Sequence, residues 1–476
     1  EMEYRLRDYM ERLTNPTLAP YAKQGECLVR VTAKAPTREA AEEMMKPVIE
    51  RVLAEFGDLA YAVDGANLAE FTVRRLLEEG VTLACAESCT GGELQKRVTD
   101  IPGASAALLG GVVVYTNEAK ERLLGVPHEL LEEKGADCAL LLDEVSIRWL
   151  TRFAASDGAA VVDRTVVRLL VDPRYYAAAK DAAAARLLPA DVHPEPFTGG
   201  LLAALASLTD RKVLVDSGRL TVRTAERLRG LLSGGELLIC DVVWGPSRRV
   251  KADYELDCIR RAQRITDGAF EHILGFIRPG VTETEVAAEL EYFCRRNGAD
   301  GMAFETIAVS GKKSAYPHGV PGDVALTENA FLTMDFGARV DGYCSDMTRT
   351  VVLGRATDEM KHIYQTVLDA QEKAIAAVRG GVLCSEVDAA ARSHIDENGY
   401  AGLFGHSTGH SLGLEIHERP AFSAVCDENI GPGTVMTVEP GIYVEGLGGV
   451  RIEDMVLVTK TGCEDLTHSP KALIEL

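Results

Sequence analysis

The stretch FLTMDFGARVDGYCSDMTRTVVLG, residues 331–354, combines many strand-forming residues with three aspartates. Asp341 and Gly342 are easily explained, because Asp-Gly between two apolar runs is a strong signal for a two-residue β-hairpin turn. Asp335 and Asp346 need another explanation, since they stand inside the apolar runs, where alternation would place core residues. The sequence therefore predicts a hairpin with two carboxylates at positions that usually face a core.

The predicted turn sets the register of this hairpin. It implies three strand pairs: Val340 with Tyr343, Gly337 with Asp346, and Asp335 with Thr348. Side chains alternate between the faces of a strand, so Asp335 and Asp346 share one face as diagonal neighbours, roughly 7 to 8 Å apart. Gly337 leaves space beside them. Two carboxylates this close need a positive charge between them.

The composition predicts a globular chain of two to four domains, since 476 residues include 46% hydrophobic and 26% charged residues. A formal net charge of −21 argues against a nucleic-acid or anionic-membrane partner. Eleven cysteines without CxxC pairs favour reduced thiols, and no signal peptide or membrane-spanning run is present, so we predict a cytoplasmic protein. Because the sequence starts with Glu1 and its first helical pattern has no lead-in, we expect a fragment of a longer reading frame.

Four segments differ in their hydrophobic patterns. Residues 1–65 predict a small α+β domain whose last element is a strand at 59–65. Residues 66–136 and residues 137–250 each alternate strands with helices, which is typical of α/β folds. Residues 251–476 form the fourth segment, which contains the hairpin.

An internal repeat marks the fourth segment. RPGVTETEVAAELEYFCRRNG (278–298) matches RGGVLCSEVDAAARSHIDENG (379–399) at a constant offset of 101 residues, which is 379 minus 278. Both copies contain a helix-start signal: Thr282 with Glu285, and Ser385 with Asp388. Two similar halves predict a pseudo-two-fold domain with a shared site between the halves, near the hairpin.

Polar residues interrupt apolar runs in the second half as well. They are His410 in HSTGHSLGLEIHERP, Glu439 in TVMTVEPG and Glu453 in GGVRIEDMVLVT. With Asp335 and Asp346 they offer four carboxylates and one imidazole, too many charges for a single ion. This set, which lacks a thiolate, suits two divalent cations such as Mn²⁺, Co²⁺, Fe²⁺ or Zn²⁺. Two such ions about 3.5 to 4 Å apart can hold a hydroxide and polarise a carbonyl, so amide hydrolysis is the predicted reaction.

Several motifs of residues 251–476 resemble the pita-bread metallopeptidases, among them the Xaa-Pro aminopeptidases and prolidases. The motifs are MDFGARVDGYCSDMTRTVVLG, PHGVPGD, HSTGHSLGLEIHERP, VEPGIY and GVRIEDMVLVT. The resemblance implies that two metals are bound by Asp335, Asp346, His410, Glu439 and Glu453. It also implies that His318 and His417 hold the substrate and steady the tetrahedral intermediate, that Arg451 supports the site, and that Glu439 shuttles a proton. Residues 137–250 are similar to the amino-terminal domain of the same peptidases and of creatinase.

Residues 1–136 resemble a different family, the competence/damage-inducible proteins with nicotinamide-nucleotide amidase activity. The match rests on NPTLAPYAKQGECLVRVTAKA and on the stretch that starts ACAESCTGGELQKRVTD. It implies Ser88 as nucleophile, Lys120 as its base and Tyr115 as a helper. A serine in a turn before a helix is more often a cap, and the family's later glycine-rich loop and closing strands have no counterpart here. We therefore expect a truncated segment without activity, joined to the next domain near residues 129–136.

The expected fold is multidomain α/β and α+β: a pseudo-two-fold pita-bread domain, preceded by a creatinase-type α/β domain and a partial amidase-like α/β segment. The resemblance implies a dinuclear aminopeptidase, most simply with Mn²⁺, that cleaves between an amino-terminal residue and proline in a dipeptide or a longer peptide. It also implies a homo-oligomer, dimer or tetramer. Two alternatives stay open: amidase activity of the first segment, and a pita-bread module that binds a partner without catalysis.

Overall fold

The computed structural model describes residues 2–23, 26–63, 67–87, 93–113, 134–163, 166–241 and 244–476. The chain divides into two compact units, Glu1–Glu129 and Leu130–Leu476. In the described part of the chain, no helix combines the length and apolar character needed to cross a bilayer. The cysteines in that part form no disulfide bond.

The first unit begins with an α+β arrangement. Helix Met2–Arg12 precedes an antiparallel hairpin of strands Thr17–Lys23 and Glu26–Thr32, and helix Arg38–Phe56 follows. Its small core contains Leu6, Leu18 and Val48.

One strand in this region was not predicted and one prediction is wrong. Strand Thr17–Lys23 was not predicted; its Pro20 has no backbone donor, which a strand tolerates at a sheet edge. The strand predicted at 59–65 does not form within its described residues: 57–59 make a 3₁₀ turn and 60–63 have no regular structure. In the described part of the unit, no strand pairs with 60–63, and an unpaired strand has no ladder to stabilise it.

The rest of the first unit has the order predicted for an α/β segment. Helix Leu68–Glu79 leads to strand Leu83–Glu87, which pairs in parallel with strand Leu108–Val113 across helix Glu93–Thr99. Val73, Val98 and Ala104 form its buried centre.

The second unit begins with a mixed six-stranded sheet. Its spatial order is Glu236–Cys240, Lys212–Asp216, Cys138–Leu141, Gly158–Val162, Val167–Val171, Val192–Pro196. Helices accompany the sheet at Glu144–Thr151, Pro173–Ala184, Leu201–Ala204 and Val222–Leu231. Neighbouring residues such as Leu140 and Leu141 enter different apolar clusters, so both faces of the sheet are covered. The strand at 192–196 was missed because its sequence, VHPEP, contains two prolines, which sheets tolerate at an edge.

The carboxyl-terminal part contains two similar halves, as the repeat predicted. Helices Asp253–Leu274 and Glu283–Arg296 cover a sheet of strands Ile307–Ser310, Ala330–Phe336 and Met347–Leu353. Helices Asp358–Ala377 and Cys384–Ile395 cover the second sheet, whose order is Glu418–Phe422, Gly409–Ser411, Val435–Val438, Asp454–Val458, Cys463–Asp465. Short strands complete the fold: Gly301–Met302, Ala338–Val340 and Tyr343–Cys344 in one sheet, Gly441–Val444 and Gly448–Arg451 in another. Helix Gly245–Arg249 links this part to the six-stranded sheet.

One of the two helix-start predictions is correct. The Thr282 side chain accepts a hydrogen bond from the Glu285 backbone, and the Glu285 carboxylate accepts one from the Thr282 backbone, which is a capping box. The second helix begins at Cys384 after Leu383, so Ser385 lies inside it. Its Asp388 is buried and accepts hydrogen bonds from Arg392 and from Thr408 instead.

The hairpin has the predicted register. Asp335 pairs with Thr348, and Val340 pairs with Tyr343. Asp341 and Gly342 both have positive φ, 49° and 84°, as a two-residue type I′ turn requires. Leu332 and Met334 enter the cluster under the helices of their own half, and the alternation of faces turns Asp335 away from it.

Residues 469–476 return to the first half. The Val352 amide donates to the Ile474 carbonyl, and the Leu476 amide donates to the Val352 carbonyl, each at 2.9 Å. The buried Arg349 donates to the carbonyl oxygens of Ser469 at 2.8 Å and Pro470 at 3.1 Å. This segment therefore extends the sheet that contains the hairpin.

The close approach at Gly337 generates a first prediction. A Cβ at this position would lie 1.8 Å from the Ser345 carbonyl oxygen, so Gly337→Ala forces the hairpin apart. Overpacking of this kind costs about 3 kcal/mol, and we expect the thermal midpoint of the full-length protein to fall by roughly 5 °C or more. Gly431→Ala is the matched control, because a Cβ there meets no atom within 4 Å. Equal midpoints for the two variants would contradict the close approach.

Candidate metal centre

A cavity of about 430 Å³ lies between the two halves of the carboxyl-terminal part. Its wall contains every residue that the sequence analysis proposed for metal binding or peptide hydrolysis: His318, Asp335, Asp346, His410, His417, Glu439, Arg451 and Glu453. The first half supplies His318 and the two aspartates, and the second half supplies the others. The cavity therefore lies where the sequence predicted a shared site between the halves.

The polar residues reach the cavity because strands end or change sheet there. Asp346 precedes strand Met347–Leu353, and Glu439 directly follows strand Val435–Val438. Glu453 lies between strand Gly448–Arg451 and the next strand, which belongs to a different sheet. These side chains therefore point into the gap between sheets rather than into a core.

His410 is the centre of the cluster. Its Nε2 lies 3.6 Å from Asp346 Oδ2 and 3.4 Å from Glu439 Oε1. One ligand atom each from Asp346, His410 and Glu453 fall within 4.8 Å of one another. The other ring nitrogen, Nδ1, lies 3.2 Å from the Ser411 carbonyl oxygen. A proton on Nδ1 leaves the Nε2 lone pair directed at the carboxylates, as in metal-binding histidines.

Hydroxyl and guanidinium groups hold one oxygen of several carboxylates and leave the other free. Arg451 Nη2 donates to Asp335 Oδ2 at 2.7 Å, and Thr348 Oγ1 donates to Glu453 Oε2 at 2.7 Å. Asp335 Oδ1 and Glu453 Oε1 are buried and have no hydrogen-bond partner among the described residues. Buried anionic oxygens without a donor are costly, and a divalent cation compensates them. The residues present therefore fit a metal centre.

Burial raises the pKa values of three acids in the cavity, Asp346, Glu439 and Glu453. Burial, and then the neighbouring carboxylates, raise the pKa of Asp346 and of Glu453 well above their usual ranges. Burial raises the pKa of Glu439 to about 7 against the opposing effect of Arg451. Burial lowers the pKa of His410, which favours the neutral imidazole. These three acids thus hold protons more tightly than exposed acids do, and a cation that binds here would displace those protons.

Arg451 connects several parts of the wall. Besides Asp335, its guanidinium donates to the Tyr443 hydroxyl at 2.8 Å, the Thr348 hydroxyl at 3.0 Å and the Pro317 carbonyl at 3.3 Å. His406 Nε2 lies 2.8 Å from the same Tyr443 hydroxyl. The sequence analysis missed Tyr443 and Thr348 as parts of the site. The only available signal was their presence inside motifs that carry a ligand.

His318 and His417 line the same cavity and are more exposed to solvent than the proposed metal ligands. Glu283, which is fully buried, holds the loop of His318: it accepts hydrogen bonds from the Ser310 amide at 2.7 Å, Lys313 Nζ at 2.7 Å and the Gly322 amide at 3.1 Å. The His417 ring lies edge-on to the His410 ring, with centroids 4.5 Å apart. Burial, and then His410, lower the pKa of His417. Glu283 was not predicted as part of the site either, because an acidic residue in the first turn of a helix is common.

A buried ion pair fixes the backbone behind Glu453. Arg349 Nη1 donates to the Glu453 carbonyl, and Arg349 Nη2 donates to Asp454 Oδ1 at 2.7 Å. Asp454 also accepts a hydrogen bond from Gln371 at 2.7 Å. The position of a proposed ligand is therefore set by charges outside the cavity.

The proposed amidase residues cannot be placed in this way. Ser88, Tyr115 and Lys120 lie outside the described residues.

The carboxyl-terminal part matches known proteins closely. Residues 257–460 match the metallopeptidase family M24. The uncharacterized peptidase YqhT of Bacillus subtilis (strain 168) is 38% identical over 356 residues, which cover 73% of this chain and 98% of the relative. The chain belongs to metallopeptidase family M24. The pita-bread resemblance stated from the motifs is confirmed, and the chain is a metallopeptidase.

Solved structures of related M24 enzymes resemble this chain over the same region. A Xaa-Pro dipeptidase from Bacillus anthracis has 38% identity and a TM-score of 0.70, covering 74% of this chain and 98% of its own. An X-Pro aminopeptidase from Thermotoga maritima MSB8 has 34% identity and a TM-score of 0.69, covering 73% and 100%. A prolidase from Pyrococcus furiosus has 33% identity and a TM-score of 0.67, covering 72% and 99%.

The segments before the M24 region match three other families. Residues 128–245 match the creatinase/prolidase N-terminal domain, residues 65–161 the CinA C-terminal domain, and residues 1–62 the damage-inducible protein CinA KH domain. Both expected resemblances are therefore confirmed. The creatinase/prolidase and CinA C-terminal matches overlap in residues 128–161, which include the predicted join at 129–136. The bounds of the four domains stay predictions.

The raised pKa values generate a second prediction. Since Asp346, Glu439 and Glu453 bind protons more tightly than exposed acids, protons compete with a divalent cation at low pH and are released when it binds. We expect the apparent affinity for Mn²⁺ to rise by about tenfold or more between roughly pH 6 and pH 8, measured by calorimetry in buffers of different ionisation enthalpy. Glu439→Gln removes one titrating group and should reduce the number of protons released. An affinity independent of pH would contradict the assigned cluster.

Proposed function

We propose that this chain is a dinuclear metallo-aminopeptidase that hydrolyses the bond between an amino-terminal residue and proline, in a dipeptide or a longer peptide. The observation that carries the proposal is the cluster of four carboxylates around His410, with His318 and His417 on the same cavity wall. Substrate class is supported by the related structures, which are named as a Xaa-Pro dipeptidase, an X-Pro aminopeptidase and a prolidase.

Asp335, Asp346, His410, Glu439 and Glu453 are the proposed ligands of two divalent cations. When bound, such a pair lowers the pKa of water from 15.7 towards about 7 and polarises the scissile carbonyl. Three groups are available for this role: the free oxygens of Asp335 and Glu453, and the unprotonated Nε2 of His410. Manganese is the proposed metal, with cobalt, zinc and iron as alternatives.

The other wall residues act on the substrate or on the ligands. Glu439, with a pKa near 7, is suited to accept a proton and return it to the leaving amine. His318 and His417 are proposed to hold the substrate and to stabilise the tetrahedral intermediate. Arg451 keeps Asp335 in place and balances part of the negative charge.

The shape of the wall suits a proline substrate. Apolar side chains line the cavity beside the polar cluster: Phe304, Ile307, Val320, Pro321 and Ile416. A proline amide has no N–H and a fixed φ, so a site that receives it needs an apolar surface of fixed shape more than a backbone acceptor.

Three further parts of the proposal rest on the sequence and its family resemblance. The cysteine pattern favours a cytoplasmic location. The family resemblance favours a homo-oligomer, either a dimer or a tetramer. The net charge of −21 argues against a nucleic-acid or membrane partner. The domain boundaries proposed are 1–65, 66–136, 137–250 and 251–476.

The amidase alternative rests on the match of residues 65–161 to the CinA C-terminal domain. Its proposed residues, Ser88, Tyr115 and Lys120, belong to a segment that we expect to be inactive. The other alternative, a binding module without catalysis, predicts a cavity that has lost its ligands, whereas the full set of five is present.

A third prediction tests the function directly. Purified protein is assayed with Met-Pro-Gly, Gly-Pro and nicotinamide mononucleotide, with and without Mn²⁺. We expect metal-dependent release of the residue before proline, and we expect Asp335→Asn to lower kcat/KM by about 100-fold or more, because it removes a ligand charge. The matched control is Asp257→Asn, an aspartate on helix Asp253–Leu274 whose side chain is 66% exposed.

The control variant should retain full activity. Deamidation of the nucleotide as the sole reaction would favour the amidase, and bound metal without any cleavage would favour the binding module. Either result would contradict the proposed peptidase.

A further inference from the structure

Residues 413–418 bring Ile416 and His417 to the cavity wall. The His417 side chain makes no hydrogen bond among the described residues, and its one ring contact there is with His410. Its position therefore depends on the backbone of this short segment. Two carboxylates on the segment, Glu415 and Glu418, are directed away from the cavity and carry ionic contacts.

Glu415 binds two guanidinium groups. Arg219 and Arg248 both donate to its Oε2, the latter at 3.0 Å. Arg219 belongs to the 3₁₀ turn that follows strand Lys212–Asp216 of the six-stranded sheet, and Arg248 belongs to helix Gly245–Arg249. A residue two positions before His417 is thus held from the preceding domain.

Glu418 binds two cations on the other side of His417. Arg248 Nη2 donates to its Oε1 at 2.5 Å, and Lys251 Nζ donates to its Oε2 at 2.9 Å. The Glu418 Oε1 also accepts a hydrogen bond from the Glu415 amide at 3.3 Å, which closes the segment on itself. Arg248, Lys251 and Glu418 are almost completely buried as side chains, with 9%, 1% and 8% exposed.

Both carboxylates of this cluster are stabilised in their ionised form. Burial opposes ionisation of Glu415, but Arg219 and Arg248 outweigh it and lower the pKa of this acid below its usual range. Burial likewise opposes ionisation of Glu418, and Lys251 and Arg248 outweigh it and lower its pKa. Three cations thus face two carboxylates that remain ionised at neutral pH. Charge-assisted hydrogen bonds are among the stronger ones, so the segment has a fixed place.

We propose that Arg219, Arg248 and Lys251 are positioning residues, which hold His417 at the cavity through Glu415 and Glu418. The inference rests on the proposed function, because the three cations are assigned an effect on His417, and the substrate-binding role of His417 is part of that proposal. The preceding domain then contributes to the rate of the reaction and not merely to the outline of the cavity. Arg219 is the informative member, since it comes from the six-stranded sheet and touches no residue of the metal centre.

The first experiment compares Arg219→Gln and Glu415→Gln with wild type in the full-length protein. Both side chains are partly exposed, at 33% and 30%, so the fold should survive. We expect each variant to lose about tenfold in kcat/KM for Met-Pro-Gly with unchanged manganese content, and the double variant to lose no more than either single one. Arg174→Gln is the control, because Arg174 also pairs with carboxylates, those of Asp157 and Asp172, although its side chain is more exposed, at 69%.

A second double-mutant cycle tests whether Glu415 acts through His417 or through a general effect on the fold. Glu415→Gln is combined with His417→Asn, which already lacks the imidazole. If Glu415 acts through His417, its substitution costs nothing further in that background. The same tenfold loss in the presence and in the absence of His417 overturns the proposal, as does full activity of Arg219→Gln.

Hydrogen exchange keeps this test independent of the substrate. We expect the amides of residues 413–418 to exchange at least tenfold faster in Arg219→Gln and Glu415→Gln than in wild type. Faster exchange in a protein whose wild type cleaves no Xaa-Pro substrate would show that the anchoring is correct and that the proposed function has failed. Unchanged exchange in both variants overturns the anchoring itself.

Discussion

The repulsion among four carboxylates in one cavity is the constraint on which the rest of this structure depends. Asp335, Asp346, Glu439 and Glu453 approach one another around His410, and a single guanidinium, Arg451, contacts one of them among the described residues. Such a cluster is stable only if protons or cations compensate it and if the backbone cannot move apart. The two sheets, the buried pair of Arg349 and Asp454, and the hydroxyls of Thr348 and Thr437 provide the second condition.

The repeat explains how one cavity receives ligands from distant parts of the sequence. Each half covers one face of its sheet with its own helix pair, so the other face is available to the partner half. A buried carboxylate on the second helix of each half then holds a loop of the site. Glu283 holds the loop of His318, and Asp388 accepts hydrogen bonds from Thr408 beside His410. The two carboxylates occupy different positions of the repeat, so each half fixes a loop of the site through a different set of contacts.

Much of the site could be predicted because its signals are local. The Asp-Gly turn predicted the hairpin register, and acids inside apolar runs indicated the residues that line the cavity. Features that depend on distant contacts were not predictable: the strand at 192–196 carries two prolines, and the helix at Cys384 has no side-chain cap. The roles of Tyr443 and Glu283 were not predictable, because each depends on a contact made only in the folded chain: Tyr443 with Arg451, and Glu283 with the loop of His318. The cations that anchor Glu415 and Glu418 come from residues far earlier in the chain, and no spacing rule connects them.

The return of residues 469–476 to the first sheet has a consequence for biosynthesis. Strand Met347–Leu353 receives its last backbone partners from Ile474 and Leu476, and Arg349 donates two of its hydrogen bonds to Ser469 and Pro470. A nascent chain on the ribosome can form the six-stranded sheet early, because that sheet closes within residues 138–240. It cannot complete the strand beside Asp346 until residues 469–476 have been synthesised. This wall of the cavity therefore takes its final form later than the six-stranded sheet.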